Sequence, residues 1–99
     1  MNKLSLHFAA VHPTAAGHFP GNPIIPGALL LAEVLRCIEQ AEGARFVSCN
    51  INAAKFLHPV RPGDTVAIEY VVSARGTLEF QCDVAGIKVL TGGVVASAR

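Results

Sequence analysis

One window of this chain is free to form a long helix, and little else is. From Ala28 to about Glu42 there is neither proline nor glycine, leucine and alanine abound, and Gly43 stands just past the end, where a left-handed cap is wanted. Ala28, Leu31, Ala32, Leu35 and Ile38 make one apolar stripe, and Leu30, Val34, Cys37 and Ala41 make a second beside it. Only Glu33, Arg36 and Gln40 form a polar ridge, so this helix is expected to be buried on most sides. A lone helix reaches such burial when a sheet wraps around it.

The remaining residues supply the strands. Leu4, Leu6 and Phe8 alternate with Lys3, Ser5 and His7, the period of a strand with one buried face, and predict a first strand over residues 3 to 9. Phe46 to Phe56, Thr65 to Ser73, Thr77 to Val84 and Ile87 to Ala98 are rich in β-branched and aromatic residues. Turn signals separate them at Pro62-Gly63-Asp64, Arg75-Gly76 and Ala85-Gly86. Gly92-Gly93, inside the last of these, marks a bulge or a close backbone approach. Between Val11 and Gly27 stand Pro13, Pro20, Pro23 and Pro26 with three glycines. That composition forbids a regular helix or central strand but fixes an irregular backbone able to hold a site. The order is β, long loop, α, then four β: a single α+β domain over residues 1–99.

A chain of 99 residues buries a smaller share of its surface than a larger one and is often completed by association. Hydrophobic residues make up 52% and charged ones 15%, more apolar surface than a lone small domain needs, yet no apolar run approaches the roughly 18 residues of a membrane span. The surplus points to a protein interface. A formal charge of +1 gives no whole-molecule field for nucleic acid. Cys37, Cys49 and Cys82 are odd in number and lack CxxC spacing, which argues against a disulfide framework and a zinc site and fits a reducing cytoplasm. His7 and His12 offer no ligand spacing, so neither metal nor cofactor is expected. The N-terminus lacks the apolar core of a secretory signal and reads as mature protein.

The segment GHFPGNPIIPGALLLAEVL (residues 17–35) resembles the signature of the 3-hydroxyacyl-acyl carrier protein dehydratases, in which GHFP, a second proline and a PG pair lead into a central helix. A second block, AAKFLHPVRPGDTVAIEY (residues 53–70), resembles the same family's KF, two residues, PV, one residue, PGD strand. The resemblance implies a hotdog fold, an antiparallel sheet of about five strands wrapped around one long central helix. It also implies removal of water from a 3-hydroxyacyl thioester to give a trans-2-enoyl thioester, in fatty acid or related acyl-chain biosynthesis. The implied partners are acyl carrier protein or coenzyme A on the substrate side, and further copies of the chain in a homodimer or higher homo-oligomer.

Such an elimination needs a base at the carbon next to the carbonyl, an acid for the leaving hydroxyl and a donor to the thioester oxygen. His18 matches the family's catalytic histidine, and imidazole, with an ordinary pKa of about 6.5, suits the base. The backbone amide of Gly27, at the head of the helix, resembles the family's oxyanion donor. The family's acid falls at Ala32, which cannot transfer a proton. Glu33 follows, but one residue turns a helix by about 100°, so its carboxylate does not simply replace a group on the Ala32 face. Glu33 is therefore a tentative catalytic residue, set against an ordinary ridge pair with Arg36. Pro20, Pro23 and Pro26 read first as scaffold. Phe19, Pro26, Leu31 and Phe56, with Leu35, are placed to contact the acyl substrate, and Arg36, Lys55 and Arg61 to meet an acidic carrier or a coenzyme A phosphate. His58, beside Pro59, reads as a strand-end surface group. Two other readings stay open: a catalytically weakened thioester-binding or partner subunit, explained by Ala32, and a hotdog thioesterase.

Overall fold

The computed structural model describes residues 2–10 and 24–98. Alternating apolar residues and glycine-bearing turns produce β1 (Asn2–His7), α1 (Gly27–Glu42), β2 (Phe46–Phe56), β3 (Thr65–Val72), β4 (Thr77–Val84) and β5 (Ile87–Ala98). The expected elements are all present. β1 stops two residues short of its expected end, and the helix takes in Gly27. The strands form one antiparallel sheet in the order β1-β3-β4-β5-β2, the hotdog architecture that the resemblance implied.

Register follows from the period of two. Val66, Ile68 and Tyr70 on β3, Leu78, Phe80 and Cys82 on β4, and Leu90 and Val94 on β5 are buried beneath the helix. The opposite face is polar: pairing sets Lys3, Glu69, Gln81, Thr91 and Lys55 side by side across all five strands. There Gln81 donates to Glu69 at 3.0 Å, and the Lys3 ammonium lies 3.9 Å from the same carboxylate. A slip of one residue on any inner strand would exchange these faces.

The helix is not buried on most sides. Leu30, Val34 and Ile38, spaced by four, bury fully; Leu31, Leu35 and Cys37 are half-buried beside them; Ala28, Ala32 and Ala41 are exposed. One chain has one inner sheet face to offer, and it covers one stripe. The helix ends on Gly43 in the left-handed region, φ 65°, with Gly43 N–H donating to the Gln40 carbonyl and Ala44 N–H to that of Glu39, each at 3.2 Å. Two carboxylates tie its last turn to the sheet: Phe46 N–H donates to Glu39, and the Tyr70 hydroxyl donates to Glu42 at 2.7 Å. Burial, helped by that hydrogen bond, pushes the Tyr70 phenol up to about 12.

Both expectations for Gly92-Gly93 are met: a register shift of the β2–β5 ladder falls beside Gly93, between the pairs Ile51–Val94 and Ala53–Gly93, and Gly92 serves close approach. A Cβ there would lie 2.5 Å from the Phe80 ring and 3.1 Å from the Ala53 carbonyl oxygen. The bulge in the β4–β5 ladder is at Val89, left over between the pairs Asp83–Lys88 and Cys82–Leu90. The β4–β5 turn carries positive φ at both Ala85 (51°) and Gly86 (82°), the mirror-image turn that matches strand twist. Among the described residues no helix is long and apolar enough to cross a membrane.

Candidate active site

The two signature blocks meet at a backbone hydrogen bond: Ile25 N–H donates to the Val60 carbonyl at 2.7 Å. The PGD turn that follows is structural. Arg61 N–H donates to the Asp64 carboxylate at 2.8 Å, and Asp64 N–H returns to the Arg61 carbonyl at 3.0 Å. Gly63, at φ 94°, donates to the Phe8 carbonyl at 2.9 Å, while Phe8 N–H donates to Asp64 at 3.0 Å, so the turn also holds the end of β1.

At the head of α1, Pro26 (φ −56°, ψ 140°) contributes its carbonyl to Leu30 N–H at 3.0 Å. No side chain among the described residues caps the first turn, and no acidic residue lies in it. The Gly27 N–H has no acceptor among those residues. Uncapped amides and the positive end of the helix dipole suit this end to a developing negative charge. Gly27 leaves room for what lies over it: a Cβ would come 3.1 Å from the Phe56 ring, which would have to give way.

Gly27 and Phe56 share an apolar cleft of about 220 Å³ with Ile24, Ile25, Leu30, Leu57, His58, Pro59 and Val60. His58 was not singled out for this place by sequence. Its Nδ1 lies 3.1 Å from the Lys88 carbonyl, and because a carbonyl only accepts, Nδ1 carries the proton. A second cavity of about 280 Å³, with Arg61, Val84, Ile87 and Val89, shares the His58-Pro59 corner. The available signal was its place in the second block, directly before the proline of the PV pair.

His18 and Phe19 lie outside the described residues. Gly27 and Phe56 lie against each other in the cleft, with half-buried Pro26 next in sequence to Gly27. Leu31 packs against the core, and Leu30 takes the cleft wall instead. Glu33 accepts from Arg36 Nε at 3.1 Å and also from Nη2, and this hydrogen-bonded pairing raises the guanidinium's pKa further. Lys55 belongs to the outer polar row, on the opposite side of β2 from Phe56 and the cleft. Arg61 flanks the second cavity. The three basic side chains therefore stand on three separate elements. Burial pushes the Cys82 thiol up to about 12 and raises those of Cys37 and Cys49, which disfavours the thiolate at all three.

An amide uncapped among the described residues, in an apolar cleft beside an oriented imidazole, is suited to a polarised carbonyl compound. A 3-hydroxyacyl-acyl-carrier-protein dehydratase, FabZ, of Ehrlichia canis is 39% identical over 82 residues, covering 71% of this chain and 55% of that protein. The enzyme of the same name from Haemophilus influenzae is 30% identical over 97 residues, 88% of this chain and 63% of the other. The chain thus spans little more than half the length of these relatives. Among solved structures, the dehydratase heterocomplex ApeI:P from Xenorhabdus doucetiae superposes with a TM-score of 0.77 at 25% identity, over 95% of this chain and 84% of that one. The sequence profile of the ApeI dehydratases matches residues 2–93, which take in both signature blocks and every described cleft residue, and the chain belongs to the ApeI-like dehydratase family.

Proposed function

We propose that this protein removes water from 3-hydroxyacyl thioesters, held on acyl carrier protein or coenzyme A, to give trans-2-enoyl thioesters in cytoplasmic acyl-chain biosynthesis. The observation that carries this reading is the Gly27 amide, without partner or side-chain cap among the described residues, set in an apolar cleft to which both signature blocks contribute. The thioester oxygen accepts from Gly27 N–H, which holds its charge as the enolate develops. His18 removes the proton from C2. The acyl chain lies along Ile25, Leu30 and Phe56.

The helix supplies no acid to this reaction. Ala32 presents a methyl group to solvent, and the Glu33 carboxylate is engaged by Arg36. The open edge of β2, with exposed Val47, Ile51, Phe56 and Leu57, supports pairing with a second copy.

The test is dehydration and rehydration of a thioester series on both carriers, native against His18→Ala. Turnover reduced at least about 10²-fold in the variant supports the enzyme. A well-folded native protein without turnover overturns it. Ala32 favours one second reading, a subunit that works only beside a related chain carrying the acid, and turnover confined to such mixtures would identify it. A thioesterase is less well supported, because no carboxylate lines the cleft among the described residues.

A further inference from the structure

The dehydration needs a proton delivered to the leaving hydroxyl, and the helix position for it holds Ala32. Among the described residues lining the cleft, His58 is the one with a side chain able to give or take a proton. Its seat is built by β5. The extra residue Val89 bends that strand, and two successive carbonyls meet the end of β2: Leu57 N–H donates to Val89 at 2.9 Å and His58 Nδ1 to Lys88 at 3.1 Å. Pro59 narrows the backbone of the residue before it to extended conformations, which fixes the other end of His58. With Nδ1–H committed to a carbonyl in either charge state, every proton His58 gives or takes passes through Nε2.

We propose that His58, starting as the imidazolium with both ring nitrogens protonated, is a catalytic residue of this dehydration that takes over the role of the family's missing helix carboxylate by donating its Nε2 proton to the 3-hydroxyl. The inference rests on the dehydratase reading above. His18 takes the C2 proton, and the C2–H electron pair, held for a time as the enolate on the Gly27 amide, becomes the second C2–C3 bond. The C3–O pair leaves with the oxygen, which the Nε2 proton completes to water. His58 ends neutral and His18 protonated, and exchange with solvent restores both. Arg61 is the one charged side chain among the described residues lining the two cavities that flank the ring. Asp64, bound to the Arg61 amide, and Asp83 and Lys88, paired across the neighbouring hairpin, complete the charged surroundings.

The test uses the full chain with a 3-hydroxyacyl coenzyme A thioester, comparing native protein with His58→Gln and His58→Gly by pH–rate profile, with circular dichroism as the check on folding. The expected result is a kcat about 10²-fold lower in His58→Gln at little-changed KM, loss of the alkaline limb of the profile, and partial rescue of His58→Gly by added imidazole. A kcat within about twofold of native and an unchanged alkaline limb would overturn the inference, since a merely structural histidine leaves the limb in place. Turnover that needs His18 but ignores His58 removes this inference alone, whereas a native protein without turnover removes the dehydratase reading and this inference with it.

Discussion

Ile25 and Val60 are joined N–H to carbonyl at 2.7 Å, which ties residues 24–26 before the helix to the segment that follows β2. Gly27 and His58 each sit two residues from that bond, and both line the cleft. The geometry of the candidate site is therefore set by backbone, and side-chain substitutions there test chemistry more than folding.

Gly27→Ala is the sharpest such substitution. The added methyl lies 3.1 Å from the Phe56 ring, which must move, while alanine suits the helix better than glycine. Thermal stability is expected to hold, and kcat/KM to fall by about 10- to 100-fold through displacement of the cleft wall. Phe56→Leu, added to Gly27→Ala, is expected to recover part of it; steady-state kinetics on the three variants decides.

Glu33→Gln removes the ridge pair with Arg36. An exposed pair three residues apart on a helix contributes little. Turnover is expected to stay within about threefold of native, against the 10²-fold or greater loss that a missing acid would bring. The same thioester assay measures it.

Alkali should loosen the fold through two buried groups. Tyr70 goes from an ordinary 10.0 to about 12 and Cys82 from 9.0 to about 12, both mainly by burial. Raised folded-state values mean that the unfolded chain releases these protons first. The associated stability is whole below about pH 9, and is lost between about pH 9 and pH 12 for the thiol and between about pH 10 and pH 12 for the phenol. Urea midpoints across that range are expected to fall, less steeply in Tyr70→Phe, which itself costs about 1 kcal/mol at neutral pH through the lost bond to Glu42.

Ala85→Asn should stabilise. Ala85 occupies the left-handed region at φ 51°, where an ordinary L-residue is strained and asparagine is at home. A gain of about 0.5 to 1 kcal/mol is expected from denaturant unfolding, with activity unchanged.

The elements were legible because periodicity and punctuation agree: the proline- and glycine-free window, with Gly27 before it, is α1, and Gly63, Gly76 and Gly86 each stand one or two residues before the next strand. Burial of the helix was over-read, since two apolar stripes say that two surfaces are covered, not that one chain covers both. Gly27 and Phe56 were readable as motif positions, but their contact is tertiary. Leu30 rather than Leu31 reaches the cleft because helix rotation against the sheet is set by packing, which one residue of error in phase hides. His58 stands exposed just past the end of β2, as its reading as a strand-end group expected. Its bond to the Lys88 carbonyl was not legible, because it depends on the Val89 bulge in a strand three elements away, and a bulge at a non-glycine residue leaves no mark in composition. Lys55 could have been placed, because alternation puts it opposite Phe56 once the strand is granted.

The open edge of β2 has a thermodynamic consequence. In the proposed pairing with a second copy, the edge left unpaired among the described residues and the half-exposed Val47, Ile51 and Phe56 are covered by another strand, so folding and encounter share one free energy. Under that proposal the resistance of this chain to heat is a function of how many copies surround it, and a dilute chain and a crowded one, identical in sequence, are expected to have different melting points.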